Sequence, residues 1–434
     1  MSTEPAPLPV RRWWTWPLAL LIIGAAAVPL VAYWLSNPLD QRLVDLDVYR
    51  LGGESVLRGF PVYDAFTPAP QLLPFTYPPI AALLAVPLAA MSWPAAQWVW
   101  TIGVLASLAV TVWFAFRELL ARFERHLPGR PAWAVPALFA VLTVAGMYLM
   151  PIRDQVRFGQ VDIILVMLCL VDCVARRPWW PRGMLIGLAT AVKLTPGVFL
   201  IYLLITGFGR DGLPEQRRTF SIAALTTLLL TVLPFLVIPH DAGAFWFSAL
   251  LDSDRVGSNT STTNQSIRGM LLRLYLPGWL TSLLWLALVA AIAWYGFRHA
   301  RRALRDGDQM TAVALTGLMA VLISPVAWIH HLAWMIVVLA ALAGHATATA
   351  SARGWRELAW LWVPAGVWLY YVLPIPWWGV SLRAAEIPVL SPVAGRIVQD
   401  AFGLGAVGLV WLLARRGAAT PVGPGSSVSH GYLE

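Results

Sequence analysis

The chain has 434 residues, of which 59% are hydrophobic and 12% charged, roughly half the charge of an ordinary soluble protein. That balance excludes a water-soluble globular domain and predicts an all-α polytopic membrane protein, with many apolar runs near the ~20 residues needed to cross about 30 Å of hydrocarbon. The formal charge of +9 does not point to nucleic acid, because the arginines fall in short clusters between apolar spans and not in a binding stripe.

In chain order, the first span covers 17–35. It is too long for a signal-peptide core, so it is expected to stay as a membrane helix behind Arg11-Arg12. Residues 36–76 follow as a polar loop. The 77–92 segment is short, and its prolines suit a helix start. Further spans are predicted at 96–116, 132–150 and 160–175. Residues 183–207 are apolar but interrupted at Lys193-Leu194-Thr195-Pro196-Gly197, giving one kinked span or two half-helices. Spans at 220–238, 279–297, 310–327, 331–344, 357–373 and 400–414 complete a single membrane domain of about 10–12 helices over 1–416. A Gly-, Ser- and Pro-rich tail from Gly417 reads as disordered. Cys169 and Cys173 lie four apart in an apolar run, where packing is the expected role.

Arginine clusters vote on sidedness. Those at 11–12, 117–130, 176–177, 210–218, 298–302 and 415–416 all prefer the cytoplasm. Parity resists this: if 77–92 and 96–116 both cross, two clusters fall outside; if they count as one crossing, 183–207 must go in and out again. Either way 36–76 lies outside, with 239–279, the Ser324–His331 corner and 374–398. Those outward segments hold most of the non-basic polar residues, so chemistry is expected on the outer face.

Asp45 and Asp47 stand in the first outer loop of a chain with only 22 acids. Two apart on a helix, they point about 200° from one another, so one faces a cavity and the other faces solvent or an arginine. A partly desolvated carboxylate suits a general base for a sugar hydroxyl; an interfacial helix cap is the structural alternative. His330 and His331 follow a Pro-broken span end, where polar groups at membrane depth mark a site. A metal is not expected there, because adjacent histidines diverge on a helix and no nearby acid completes a ligand set. Lys193 either snorkels to an interface or binds a phosphate beside the freed backbone N–H groups of the broken helix. Gln160 and Asp162 open a span, where capping competes with function. Asp172, deeper in that run, needs a buried structural partner. The Asn259–Arg268 loop is dense in amides and hydroxyls, which suits a sugar polyol through Asn264 and Gln265, with Arg268 available to a phosphate.

In order, Asp45-Leu46-Asp47-Val48-Tyr49, Gly59-Phe60-Pro61-Val62-Tyr63-Asp64, Phe75-Thr76-Tyr77-Pro78-Pro79, Gly159-Gln160-Val161-Asp162, Lys193-Leu194-Thr195-Pro196, Asn264-Gln265-Ser266-Ile267-Arg268-Gly269 and Ser324-Pro325 to His330-His331 resemble the polyprenyl-phosphate-mannose-dependent mannosyltransferases of glycosyltransferase family 87, in the GT-C class. The resemblance spans roughly 40–345. It departs at Asp162, where Asn is usual, and at Ile329, where an acid often precedes the histidine pair.

The resemblance implies a GT-C fold with Asp45 as the base that deprotonates an acceptor mannose hydroxyl. Asp47, Tyr49, Tyr63, Tyr77, Gln160, Lys193, Asn264, Gln265, Arg268, His330 and His331 would contact substrate. It implies a polyprenyl-phosphate-mannose donor as co-substrate, with no metal or further cofactor required, and a mannosylated glycolipid acceptor, either a phosphatidylinositol mannoside or lipomannan and lipoarabinomannan. The product would be an α-(1→2) linkage made with inversion at the outer face of the cell membrane. Two rivals remain: a GT-C transferase using another polyprenyl-phosphate sugar, and a transporter or lipid flippase. The latter needs ionisable groups at midplane on several spans, whereas here they gather at the outer span ends.

Overall fold

The computed structural model describes residues 14–38, 41–126, 131–209, 211–349, 355–388 and 390–416. Among them the chain is helical, and its only β pairing is two isolated bridges, Phe66 to Pro74 and Asn264 to Trp328. Arg11-Arg12, Arg210 and the tail from Gly417 lie outside the described residues.

Among the described residues, four helices are long and apolar enough to cross a membrane alone, Thr15–Leu35, Trp93–Arg125, Pro214–Val237 and Gly278–Arg305, and up to six if two bent pairs each count as one. The remaining apolar runs form shorter helices, for a physical reason. The central apolar runs break into helices such as Met184–Val192 and Gln309–Leu322; the latter's 14 residues rise only about 21 Å. These short helices need not face lipid. Every residue from Thr311 to Leu322 is buried, so protein neighbours, not hydrocarbon, surround the broken ends. The long helices around them expose Leu21, Leu228, Leu236 and Leu286, the surface a bilayer covers.

The parity problem resolves in favour of the in-and-out segment. Gly183, where the Met184–Val192 helix begins, abuts the Thr219 carbonyl, and Gly207, where the Val198–Gly207 helix ends, abuts Arg217. Both sit at the same end of the Pro214–Val237 helix, so 184–207 rises from the arginine-rich end and returns to it. Lys193 is near the apex. Meanwhile Pro79–Ala89 stays beside Val44–Arg58: Gly53 meets the Ala85 carbonyl, and Arg50 donates to the carbonyls of Leu88 and Met91. That short helix therefore stays with Val44–Arg58, and Trp93–Arg125 is long enough to make the passage alone.

Near the arginine-rich end Asp172 finds its structural partners, accepting from Trp180 Nε1 at 3.0 Å, Gly183 N at 2.9 Å and Ile186 N at 3.0 Å. Cys169 and Cys173 are buried and free, packed in the core.

Candidate active site

At the opposite end, the Val44–Arg58 helix starts from Leu43, a fully buried residue held at φ 49°. Left-handed backbone at a non-glycine residue costs about 1–2 kcal/mol, so the helix start is fixed by its surroundings. Asp45 and Tyr49, four apart, share one face. Asp47 points elsewhere, into the fields of Arg50 and Glu54, whereas Asp45 faces Gln160, Lys193 and Asp162. The two acids are thus separated as their spacing requires, and Asp45 belongs with the Gln160, Lys193 and Asp162 set.

What brings Gln160 to Asp45 is Gly159. It ends the Met150–Phe158 helix at φ 71°, and a Cβ there would lie 2.9 Å from Leu46 Cβ. Only glycine satisfies both the conformation and the approach. Its carbonyl accepts from Trp100 Nε1 at 2.7 Å. Tyr49 Oη then donates to Gln160 Oε1 at 3.1 Å, and the Tyr77 hydroxyl lies 3.1 Å from Tyr49 Oη, leaving the Gln160 amide nitrogen for Asp45. Burial pushes the Asp45 carboxyl up to about 7. Hydrogen bonding by Gln160 and the charge of Lys193 oppose that rise, and the negative fields of Asp162 and Asp154 add to it. A carboxylate that titrates near neutrality is matched to abstracting a proton.

Within the field of Asp45, the broken helix ends at Val192 and leaves Lys193 extended at φ −149°. Its ammonium donates to Asp162 Oδ1 at 2.8 Å, lies 3.0 Å from His331 Nε2, and sits 5.4 Å over the Tyr77 ring. With Lys193 donating, neutral His331 accepts at Nε2 and carries its proton on Nδ1. His330 Nε2 and His331 Nε2 are each 3.9 Å from Asp162 Oδ2. Buried Gln155 ties these pieces together: its amide donates to the His330 carbonyl at 2.7 Å and accepts from Ile163 N at 3.3 Å. Asp162 Oδ2, His330 Nε2 and His331 Nδ1 are buried with no protein hydrogen-bond partner, the condition of groups kept to meet a ligand.

The geometry differs from the sequence reading on one point: an acid does stand beside the histidines. The histidines lie on a 3-10 turn, Ile329–Trp334, and their rings approach to 4.8 Å. Asp162, from a distant segment, supplies the acid that the sequence lacked next to them. Asp162, His330 and His331 offer ligand atoms within 4.8 Å of one another, a donor set a transition metal could use. However, Lys193 already stands against two of the three, and a metal would have to displace its charge.

Several sequence candidates lie elsewhere. Asn264 and Gln265 are 0% exposed. Asn264 Oδ1 accepts from Ser266 Oγ, Ser266 N and Ala327 N; Gln265 donates to the carbonyls of Thr262 and Gln399 and accepts from Gly403 N. Their amides hold the histidine segment against the C-terminal helices and are spent on protein. Buried Tyr63 likewise spends its hydroxyl on the Tyr77 carbonyl at 2.8 Å. Arg268 lies 5.7 Å over the Trp285 ring, and no described contact joins it to Lys193. Sequence reasoning missed Asp162 as a member of the charged set and Gln155 altogether; their one signal is a polar run, Asp154-Gln155 to Gln160 and Asp162, at the mouth of an apolar span.

Beside this set, an apolar pocket of about 230 Å³ begins at Tyr49 and Tyr77 and continues along Leu84, Leu88, Leu168 and Leu188. One end of the helices therefore brings together a carboxylate, a fixed cation and a greasy pocket.

Comparison with known proteins agrees in scope. The model of glycosyltransferase family 87 matches residues 75–325. The polyprenol-phosphate-mannose-dependent alpha-(1-2)-phosphatidylinositol mannoside mannosyltransferase of Mycolicibacterium smegmatis is 37% identical over 331 residues, covering 73% of each chain. Its counterpart in Mycobacterium tuberculosis is 36% identical, covering 74% of each. A polyprenol-phosphate-mannose-dependent alpha-(1-2)-phosphatidylinositol pentamannoside mannosyltransferase of M. smegmatis is 28% identical over 83% of this chain and 82% of its own. No solved structure matches the chain.

Proposed function

Because this chain belongs to glycosyltransferase family 87, an enzyme family of the GT-C class, we propose that it moves mannose from polyprenyl-phosphate-mannose to a mannose of a phosphatidylinositol mannoside. The observation that carries this reading is that Asp45 and Lys193 converge on one polar set, Asp45 beside Gln160 and within the field of Lys193, and Lys193 on Asp162 and His331. A glycosyl transfer from a phosphate needs a base on the attacking oxygen and a positive charge on the leaving one, and these residues supply both.

In the reaction, Asp45 takes the proton of the acceptor hydroxyl as its oxygen attacks the anomeric carbon. The bond from that carbon to the phosphate oxygen breaks, and polyprenyl phosphate departs with the electron pair. Lys193, with His330 and His331 donating as the ligand requires, meets the charge that builds there. Single displacement on a β-linked donor gives an α linkage, and the names of the relatives support α-(1→2). Phosphate leaves already ionised, so no general acid is required. Lys193 supplies a permanent cation, so neither a metal nor a further cofactor is needed. The pocket beyond Tyr49 and Tyr77 suits the first isoprene units of the donor.

The acid-bearing end is read as the outer face of the cell membrane. Support comes from Arg176-Arg177, Arg217-Arg218 and Arg298–Arg305 at the other end, by the preference of arginine for the cytoplasm. The test is purified enzyme in nanodiscs given radiolabelled polyprenyl-phosphate-mannose and phosphatidylinositol mannosides of graded length. The expected product carries label in a terminal α-(1→2) mannose. Consumption of a different polyprenyl-phosphate sugar alone, or of none, overturns the assignment, and the acceptor preferred decides between the two kinds of relative.

A further inference from the structure

A second cavity lies away from the reaction residues, between the Gly278–Arg305 and Ala401–Arg416 helices. Its volume is about 820 Å³, toward the upper end of the ~300–1,000 Å³ usual for small-molecule sites. Leu271, Leu288, Ile292, Val393 and Leu404 form its walls, and several of its apolar side chains, Trp294 and Ile397 among them, are exposed on the surface a bilayer covers.

One end is charged. Arg396 lines the cavity with its guanidinium 5.0 Å over the Tyr275 ring, and its Nη1 is buried with no hydrogen-bond partner. The acid nearby cannot neutralise it: Asp400 is held by Arg273, Nε to Oδ1 at 2.6 Å and Nη2 to Oδ1 at 2.5 Å. Arg383, which also faces Asp400 and Arg273, donates to Gln399. Three guanidiniums therefore share one carboxylate, and the surplus positive charge sits at the mouth of a groove lined with hydrocarbon. A cation at one end of an apolar slot between long apolar helices is complementary to an anionic lipid.

We propose that this groove holds a two-chain anionic phospholipid of the surrounding bilayer, with its phosphate on Arg396 and its chains between the two helices. The lipid is a resident of the scaffold and not a substrate. Gln265 stands between groove and reaction site, with its N–H on the Ala327 carbonyl of the histidine segment and its Oε1 on Gly403 N of the Ala401–Arg416 helix. No residue lining the groove belongs to the Asp45, Lys193 and His331 set. Occupation would brace the helix that Gln265 uses to hold the histidines.

The test uses full-length protein in nanodiscs of phosphatidylcholine doped with phosphatidylglycerol, followed by native mass spectrometry and thermal unfolding. Wild type is expected to retain phosphatidylglycerol in preference to phosphatidylcholine and to unfold at a higher temperature when it is present. Arg396→Gln should weaken retention about tenfold, the effect of losing one charge-assisted contact, and remove the thermal shift. Ala291→Trp, at an exposed position on the groove wall, should exclude the lipid while leaving Arg396 in place, which covers the case in which Arg396→Gln fails to fold. Equal retention of both phospholipids, retention unchanged in both variants, or displacement of the bound phospholipid by polyprenyl phosphate or by a phosphatidylinositol mannoside would overturn the proposal, the last two by making the groove a donor or an acceptor site.

Discussion

The Lys193 ammonium and the Asp162 carboxylate meet at 2.8 Å although 31 residues separate them. Breaking a buried pair by removing one partner costs about 3–5 kcal/mol, because the other charge is stranded. Lys193→Met should therefore lower stability on that scale and also cut transfer by roughly 10²–10³-fold through loss of the leaving-group charge. The double variant Lys193→Met with Asp162→Asn separates the two effects. Thermal unfolding should recover while the initial rate does not. Recovery of both would mean that Lys193 only neutralises Asp162.

The same contact predicts how the enzyme responds to chelation. Because Lys193 stands against two of the three possible metal donors, mannosyl transfer should persist after treatment with EDTA and dialysis. A rate that falls and returns on adding Mn²⁺ or Zn²⁺ would show that Asp162, His330 and His331 hold a metal in place of that ammonium.

Much of the site was legible in the sequence, for a definable reason. Asp45, Gln160, Lys193, His330 and His331 are polar residues interrupting apolar spans at one end, and such residues are retained only where they have partners or substrates. Asn264 and Gln265 stand apart from that set, because a density of amides reveals a demand for hydrogen bonds but not who makes it. Here buried backbone at Thr262, Ala327, Gln399 and Gly403 makes that demand. Asp162 escaped because its neighbours come from residues 193 and 330–331, and span counting carries no information about which distant ends converge. The short central helices were legible as apolar but not as buried, since periodicity fades where every face packs.

Asn264 tests that distinction. Its replacement by Ala leaves three buried donors, Ser266 N, Ser266 Oγ and Ala327 N, without their acceptor. A loss of about 3 kcal/mol is expected, read as a lower unfolding temperature, with KM for both substrates unchanged in the folded fraction. A raised KM at unchanged stability would instead return Asn264 to the sugar.

Asp45 predicts a pH profile. A base must be ionised to act, and burial raises this carboxyl to about 7, so transfer should rise with pH through an acid limb near 7. Gln160→Leu removes a hydrogen bond that favours the ionised form, and should move the limb to higher pH. The raised value also has a stability consequence. An ionised Asp45 costs folding energy increasingly as pH climbs from its unfolded to its folded value, so Asp45→Asn should stabilise the protein, more at pH 8 than at pH 5. A limb that stays in place, or moves to lower pH, would mean that another group controls the rate.

The most direct measurement compares Asp45→Asn with Asp47→Asn, each assayed for transfer from labelled polyprenyl-phosphate-mannose and for binding of that donor. The geometry predicts that Asp45→Asn loses transfer by ~10²–10⁴-fold, the scale of a general base, while donor binding persists. Asp47→Asn, facing Arg50 and Glu54, should remain active. Undiminished transfer by Asp45→Asn, or its loss in Asp47→Asn alone, would contradict Asp45 as the base.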